Sequence, residues 1–93
     1  MATNRVGPVL DRSEQGLAIV AAIRELNPGV QVIDHGAYVR VLAPSWCIVR
    51  RTVIERFLGR AVELPSDLET AMPSFQGELT IDSDGALWRE AAR

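Results

Sequence analysis

His35 and Cys47 are the single histidine and the single cysteine of the chain. Together they could form a thiolate nucleophile and its base, provided that the fold brings them within hydrogen-bond reach. Their local settings argue for blander roles. His35 sits in Asp34-His35-Gly36, which reads as a hairpin turn, where a polar residue needs no special reason. Cys47 sits in the apolar run Trp46-Cys47-Ile48-Val49, where cysteine behaves as a small hydrophobe. A zinc site wants about four Cys, His or carboxylate ligands, and a carboxylate di-iron site wants Glu-x-x-His pairs on helices. Neither pattern occurs. Asp82-x-Asp84-Gly85 matches part of a calcium loop, but the other ligands and the closing Glu are missing, so turn residues is the better reading. No phosphate-binding glycine loop is present. Gly36-Ala37-Tyr38-Val39-Arg40-Val41 has the look of an RNA-binding strand with a stacking aromatic, yet no basic field accompanies it. Tyr38 is expected to pack against a neighbouring strand or helix.

Charge narrows the classes further. All ten basic residues are Arg, so Schiff-base and lysine-base chemistry is excluded. The formal net charge is −2, which gives no non-specific attraction to nucleic acid or to an anionic membrane. Arg suits planar, bidentate contacts to carboxylates, so exposed Arg could serve a protein interface. A single Cys allows no internal disulfide and fits a reducing compartment. The stretch MATNRVGPVL lacks the apolar core of a secretion signal, and no apolar run approaches a membrane span, so a cytoplasmic protein is expected.

The elements that would position these residues can be read from periodicity. At 93 residues the chain is expected to form one domain over 1–93, with a flexible tail at 1–5 and a frayed end at 90–93. Val6-Gly7-Pro8-Val9-Leu10 suggests an edge strand or a strand start, because Pro8 lacks an N–H. Glu14 to Leu26 has helical spacing, with Asp11 and Ser13 competing as its cap, and Asn27-Pro28-Gly29 ends it. Val30 to Leu42 alternates as two short strands joined at Asp34-His35-Gly36. Val30 and Val32 share one face; Ala37, Val39 and Val41 form the aliphatic face of the second strand, with Tyr38, Arg40 and Leu42 opposite. Trp46 to Val49 reads as a third strand. Thr52-x-x-Glu55 reads as a capping box opening a second helix whose apolar face is Val53, Ile54, Phe57 and Leu58, with Gly59 as the stop. The segment 66–76 reads as a loop or irregular stretch, and a last hairpin turns at Asp82-Ser83-Asp84-Gly85. The order suggests an α+β fold of two β-α-β-β-like motifs, with two helices packed on mainly antiparallel short sheets.

Five stretches, in order, resemble the effector (coupling or regulatory) proteins of bacterial soluble di-iron monooxygenases, the small cofactor-free components of methane, phenol, toluene and alkene monooxygenase systems. They are Val6–Leu10, Ala22–Gly29, Val32–Val41, Arg51–Arg60 and Ser74–Gly77. The short N-terminal stretch is nearer the toluene and alkene branch. His35 stands where Arg is more usual, Gln76 replaces a small residue, and Leu26 stands where an acidic residue is often seen. The resemblance implies a protein without cofactor, metal or bond chemistry. Such a protein docks on the hydroxylase α-subunit over the helices carrying the di-iron centre and works alongside reductase or ferredoxin components. It also implies the contact segment: Met72, Pro73, Ser74, Phe75, Gln76 and Gly77, with Ser74 and Gln76 the foremost and Met72 and Phe75 equally suited to plugging the core. Asn4 and Arg5 are a second candidate, Glu69 and Arg51 charged rim contacts. The alternative from composition and order alone is a small-molecule-binding regulatory domain of ferredoxin-like type.

Overall fold

The alternation of Val39, Val41 and Ala43 against Tyr38, Arg40 and Leu42 sets the architecture. The first set is buried; the second is exposed or half-buried. A computed structural model describes residues 5–91. Its elements are β1 (Arg5–Asp11), α1 (Glu14–Leu26), β2 (Gln31–Asp34), β3 (Tyr38–Pro44), β4 (Trp46–Arg50), α2 (Arg51–Leu58), α3 (Ser66–Ala71), β5 (Ser74–Gln76), β6 (Glu78–Ile81) and β7 (Gly85–Arg89). They form an α+β fold with two antiparallel sheets, a larger one of order β2-β3-β1-β5 and a smaller one of order β4-β7-β6. The core joins Val6 and Leu10 of β1, Ile19 and Ile23 of α1, Val41 of β3, Val49 of β4, Ile54 of α2, Leu68 of α3 and Trp88 of β7.

Several local expectations change. β1 is not an edge strand; it lies between β3 and β5. Pro8 is tolerated because the β1–β3 ladder skips Gly7 and Pro8, and on the other side Pro8 faces Phe75 of the short β5. Gly7 is required by the same close approach. Its φ is +146°, and a Cβ there would collide with the Val41 carbonyl of β3. Arg5 belongs to β1 rather than to a tail. At the other end Glu90 is tied down, its N–H donating to the Ser45 carbonyl at 3.0 Å.

Ser13, not Asp11, caps α1: its hydroxyl accepts from the Gly16 N–H at 2.9 Å, while the Asp11 carboxylate accepts from the Ser13 N–H at 3.1 Å. Ala37 falls in the β2–β3 turn, where the Asp34 side chain accepts from the Gly36 N–H at 2.8 Å. The Thr52–Glu55 capping box does not form. α2 starts two residues earlier than a Thr52 cap would set it, with its first N–H, that of Arg51, donating to the Asp84 carbonyl at 2.8 Å. That frees the Glu55 carboxylate to accept from the Val62 N–H at 2.9 Å and from Arg51 at 3.1 Å. Of the expected apolar face of α2 only Ile54 is buried; Val53 and Leu58 are half-buried and Phe57 is exposed. The segment 66–76 is regular after all: a third helix, α3, leads into β5. Gly59 ends α2 as expected, with φ +83°.

Candidate interaction surface

The two residues best equipped for bond chemistry are kept apart. Cys47 is fully buried, paired with Trp88 across β4–β7, and burial pushes its thiol up to about 12. Such a thiol is inert near neutral pH. His35 sits exposed at the tip of the β2–β3 hairpin, stacked on Tyr38 with ring centroids 4.8 Å apart. Beside it, Arg12 reaches Asp34 at 2.5 Å and, with the Gly36 N–H, holds the Asp34 carboxyl below the usual range. Asp82 is a turn residue, its carboxylate accepting from the N–H groups of Asp84 and Gly85. Among the described residues no cluster of His, Cys, Asp and Glu is arranged to hold a metal ion.

The outer face of the larger sheet is a different matter. In the β1–β5 ladder Val9 faces Ser74 and Gly7 faces Gln76. In the β1–β3 ladder Val9 faces Arg40. Residues directly opposite share a face, so Ser74 and Gln76 lie on the same side as Arg40 and Leu42. Together with Phe75 these residues line a shallow recess of about 130 Å³ floored by Gly7 and Val9. All of β5 is exposed, whereas Met72 just before it is buried at 8% exposure and plugs the core. Phe75 is 45% exposed and does not plug the core. Pro73 is exposed.

Gly77 has a special place. Its φ is +102°, and a Cβ there would lie 2.6 Å from the Arg89 carbonyl and 2.8 Å from Val6 Cγ1. Only glycine lets β5 of one sheet run into β6 of the other at this approach. Arg5 opens β1 next to Pro44 and donates to the Gln31 side chain. Asn4 lies outside the described residues. Arg51 and Glu69 are on helices α2 and α3 and do not join this face. The half-buried Arg51 guanidinium is tied to Glu55 and to the Ser83 carbonyl, the latter at 3.1 Å. Arg40 and Leu42 were absent from the expected contact set. Their alternation with the core residues is plain in the sequence; what it does not show is that no helix covers their side.

Among the described residues, geometry offers an exposed sheet face with a recess and no metal-holding cluster. Residues 4–89 match the MmoB/DmpM family. The chain belongs to the MmoB/DmpM family. A relative, the effector subunit of the alkene monooxygenase system of Xanthobacter autotrophicus, is 36% identical over 90 residues, covering 95% of this chain and 88% of that protein. A chain from the phenol hydroxylase–regulatory protein complex superposes with a TM-score of 0.83 at 21% identity, covering 92% of this chain and 98% of that one. Regulatory protein B of soluble methane monooxygenase superposes with a TM-score of 0.71 at 21% identity, covering 97% and 67%. These two likenesses establish the shared fold. Membership places this MmoB/DmpM chain among the regulatory rather than the catalytic components of multicomponent monooxygenases. No described helix is long and apolar enough to cross a membrane.

Proposed function

We propose that this protein is the effector of a soluble di-iron monooxygenase. It docks on the α-subunit of the hydroxylase, over the helices that carry the di-iron centre, and couples O2 activation to oxidation of an alkene or aromatic hydrocarbon in the cytoplasm. The observation that carries the reading is the 36% identity over 95% of the chain to an alkene monooxygenase effector subunit. The fold supports it physically. A chain whose thiol is buried and whose imidazole stacks at an exposed turn acts through what it binds. Binding alone changes a partner's activity only when one conformation of the partner is bound more tightly than another. The proposed contact surface is the β5 edge, Ser74, Phe75 and Gln76, with Gly77 fixing its course and Arg5 beside it. Reductase or ferredoxin components of the same system would share the hydroxylase with it.

The ferredoxin-like alternative finds less support. The strands divide into two sheets instead of one. A recess of about 430 Å³ between α1 and the β2–β3 hairpin is open and bridged by the exposed Arg12–Asp34 pair.

The test is a reconstituted oxidation assay with purified hydroxylase and reductase. Adding this protein should raise the initial rate along a saturating curve. A rate that does not respond to the protein at any concentration would overturn the proposal.

A further inference from the structure

The contact segment is one stretch of chain, but the fold closes it into a ring with residues remote in sequence. β1 begins beside the end of β3, with Arg5 opposite Pro44. From Pro44 the chain passes through Ser45 into Trp46, the first residue of β4. Trp46 faces Arg89, which faces Glu78, the first residue of β6. Gly77 connects Glu78 back to Gln76, which faces Gly7 of β1. Both sheets therefore end at one seam. By strand spacing alone Trp46 stands about 10 Å from Glu78, two strands away on the same face.

Trp46 is the most exposed large apolar residue described, at 54%. The backbone leading to it is held in an unusual conformation. Ser45 has φ +69°, a region that non-glycine residues seldom adopt, and its carbonyl is pinned by the Glu90 N–H at 3.0 Å. Strain of this kind persists where the surroundings over-determine it, and it clusters at ligand clamps and switch regions. A half-exposed tryptophan presented by a pinned turn is suited to serve as a binding anchor. Its indole offers a large area at little rotamer cost, and tryptophan is over-represented among residues that dominate interface energies.

We propose that Trp46 is the aromatic anchor of the docking surface, inserting into an apolar slot on the hydroxylase, and that the seam from Gln76 through Glu78 and Arg89 to Trp46 is the centre of that surface. This deepens the effector reading and rests on it. β5 supplies one side of the contact, and Trp46 holds it from the neighbouring sheet.

The experiment titrates the hydroxylase with the full chain and its Trp46→Ala, Trp46→Gln and Trp46→Phe variants. It reads oxidation rate against effector concentration, alongside the thermal unfolding of each variant. Trp46→Ala and Trp46→Gln are expected to raise the half-saturating concentration by roughly tenfold or more with Tm unmoved, and Trp46→Phe to recover most of it. Phe57→Ala, which removes a residue 48% exposed on α2, should stay within about twofold of the parent. The proposal is overturned if Trp46→Ala saturates at the parent concentration, if Phe57→Ala loses as much, or if affinity and Tm fall together across the Trp46 series. If the unsubstituted chain itself fails to stimulate, the effector reading fails and takes this one with it. If the chain stimulates and Trp46→Ala does so equally well, only the anchor is lost.

Discussion

Asn27 shows how much one side chain can hold together. It is the sole polar residue in the buried set of the described chain, at 5% exposure. Its amide donates to the Ile23 carbonyl and to the Ile48 carbonyl, each at 2.7 Å, and accepts from the Ile48 N–H at 2.9 Å. β4 is an edge strand, and Asn27 serves its open side as a neighbouring strand would, fastening the end of α1 to the smaller sheet. Asn27→Ala leaves the Ile48 N–H and carbonyl without these partners, and each orphaned group costs about 1–3 kcal/mol. A fall of that size in the urea unfolding free energy is expected; a change below about 0.5 kcal/mol, as for an ordinary surface site, would refute this role. In the sequence, Asn27 before Pro28-Gly29 reads only as a helix stop, because its second partner lies on a strand 21 residues away. Glu55 makes a pH prediction at the same scale. The Val62 N–H, and then Arg51, hold its carboxyl below the ordinary 4.5. A depressed folded-state pKa contributes stability above the unfolded value and loses it as pH falls through the folded one. Glu55→Gln should therefore be less stable than the parent at pH 7, and the gap should narrow as pH drops below about 4.5. A gap that stays constant down to pH 3 would contradict this.

At the scale of elements, length decides what can be read. α1 has thirteen residues and shows its period, and its bounds match the expectation of Glu14 to Leu26. α3 has six, less than two turns, and cannot show a period; its only signals are Pro65 at the cap and Asp67 and Glu69 in the first turn. β5 has three residues, too few for alternation, and its existence depends on β1 being there to pair with. For α2 the period is visible but its phase is not. Ile54 is fully buried, Val53 and Leu58 are half-buried, and Phe57 is 48% exposed. Ile54→Ala should cost about 2–5 kcal/mol in chemical denaturation, and the half-buried Leu58→Ala less. The reverse order would mean that the face is misassigned. For β5, Ser74→Arg combined with Gln76→Glu changes only exposed side chains, so Tm should hold while the effector concentration needed for stimulation rises. Unchanged stimulation at limiting protein would remove β5 from the docking surface.

On the scale of the whole molecule, two small sheets meet at a seam and share a core with three helices. The fold class, the antiparallel hairpins and the ordered family stretches are legible in the sequence because they rest on local alternation and on short motifs. The division into two sheets is not, since it depends on which strand edges meet, and Gly77 reveals its part only when Arg89 and Val6 are seen to close on it. The candidate surface was half legible for the same reason. The stretch Met72–Gly77 can be singled out, but its union with Arg40 and Trp46 arises from pairing across strands. Among its described residues the protein has no cluster arranged to hold a metal ion and its one thiol is buried, and the proposed function places its effect in the partner's conformational balance. The most direct test of that account is the ratio of hydrocarbon product formed to reductant consumed by hydroxylase and reductase as this protein is added. The ratio is expected to climb toward one and to saturate with the rate. A ratio that stays flat while the protein is titrated to excess would contradict it.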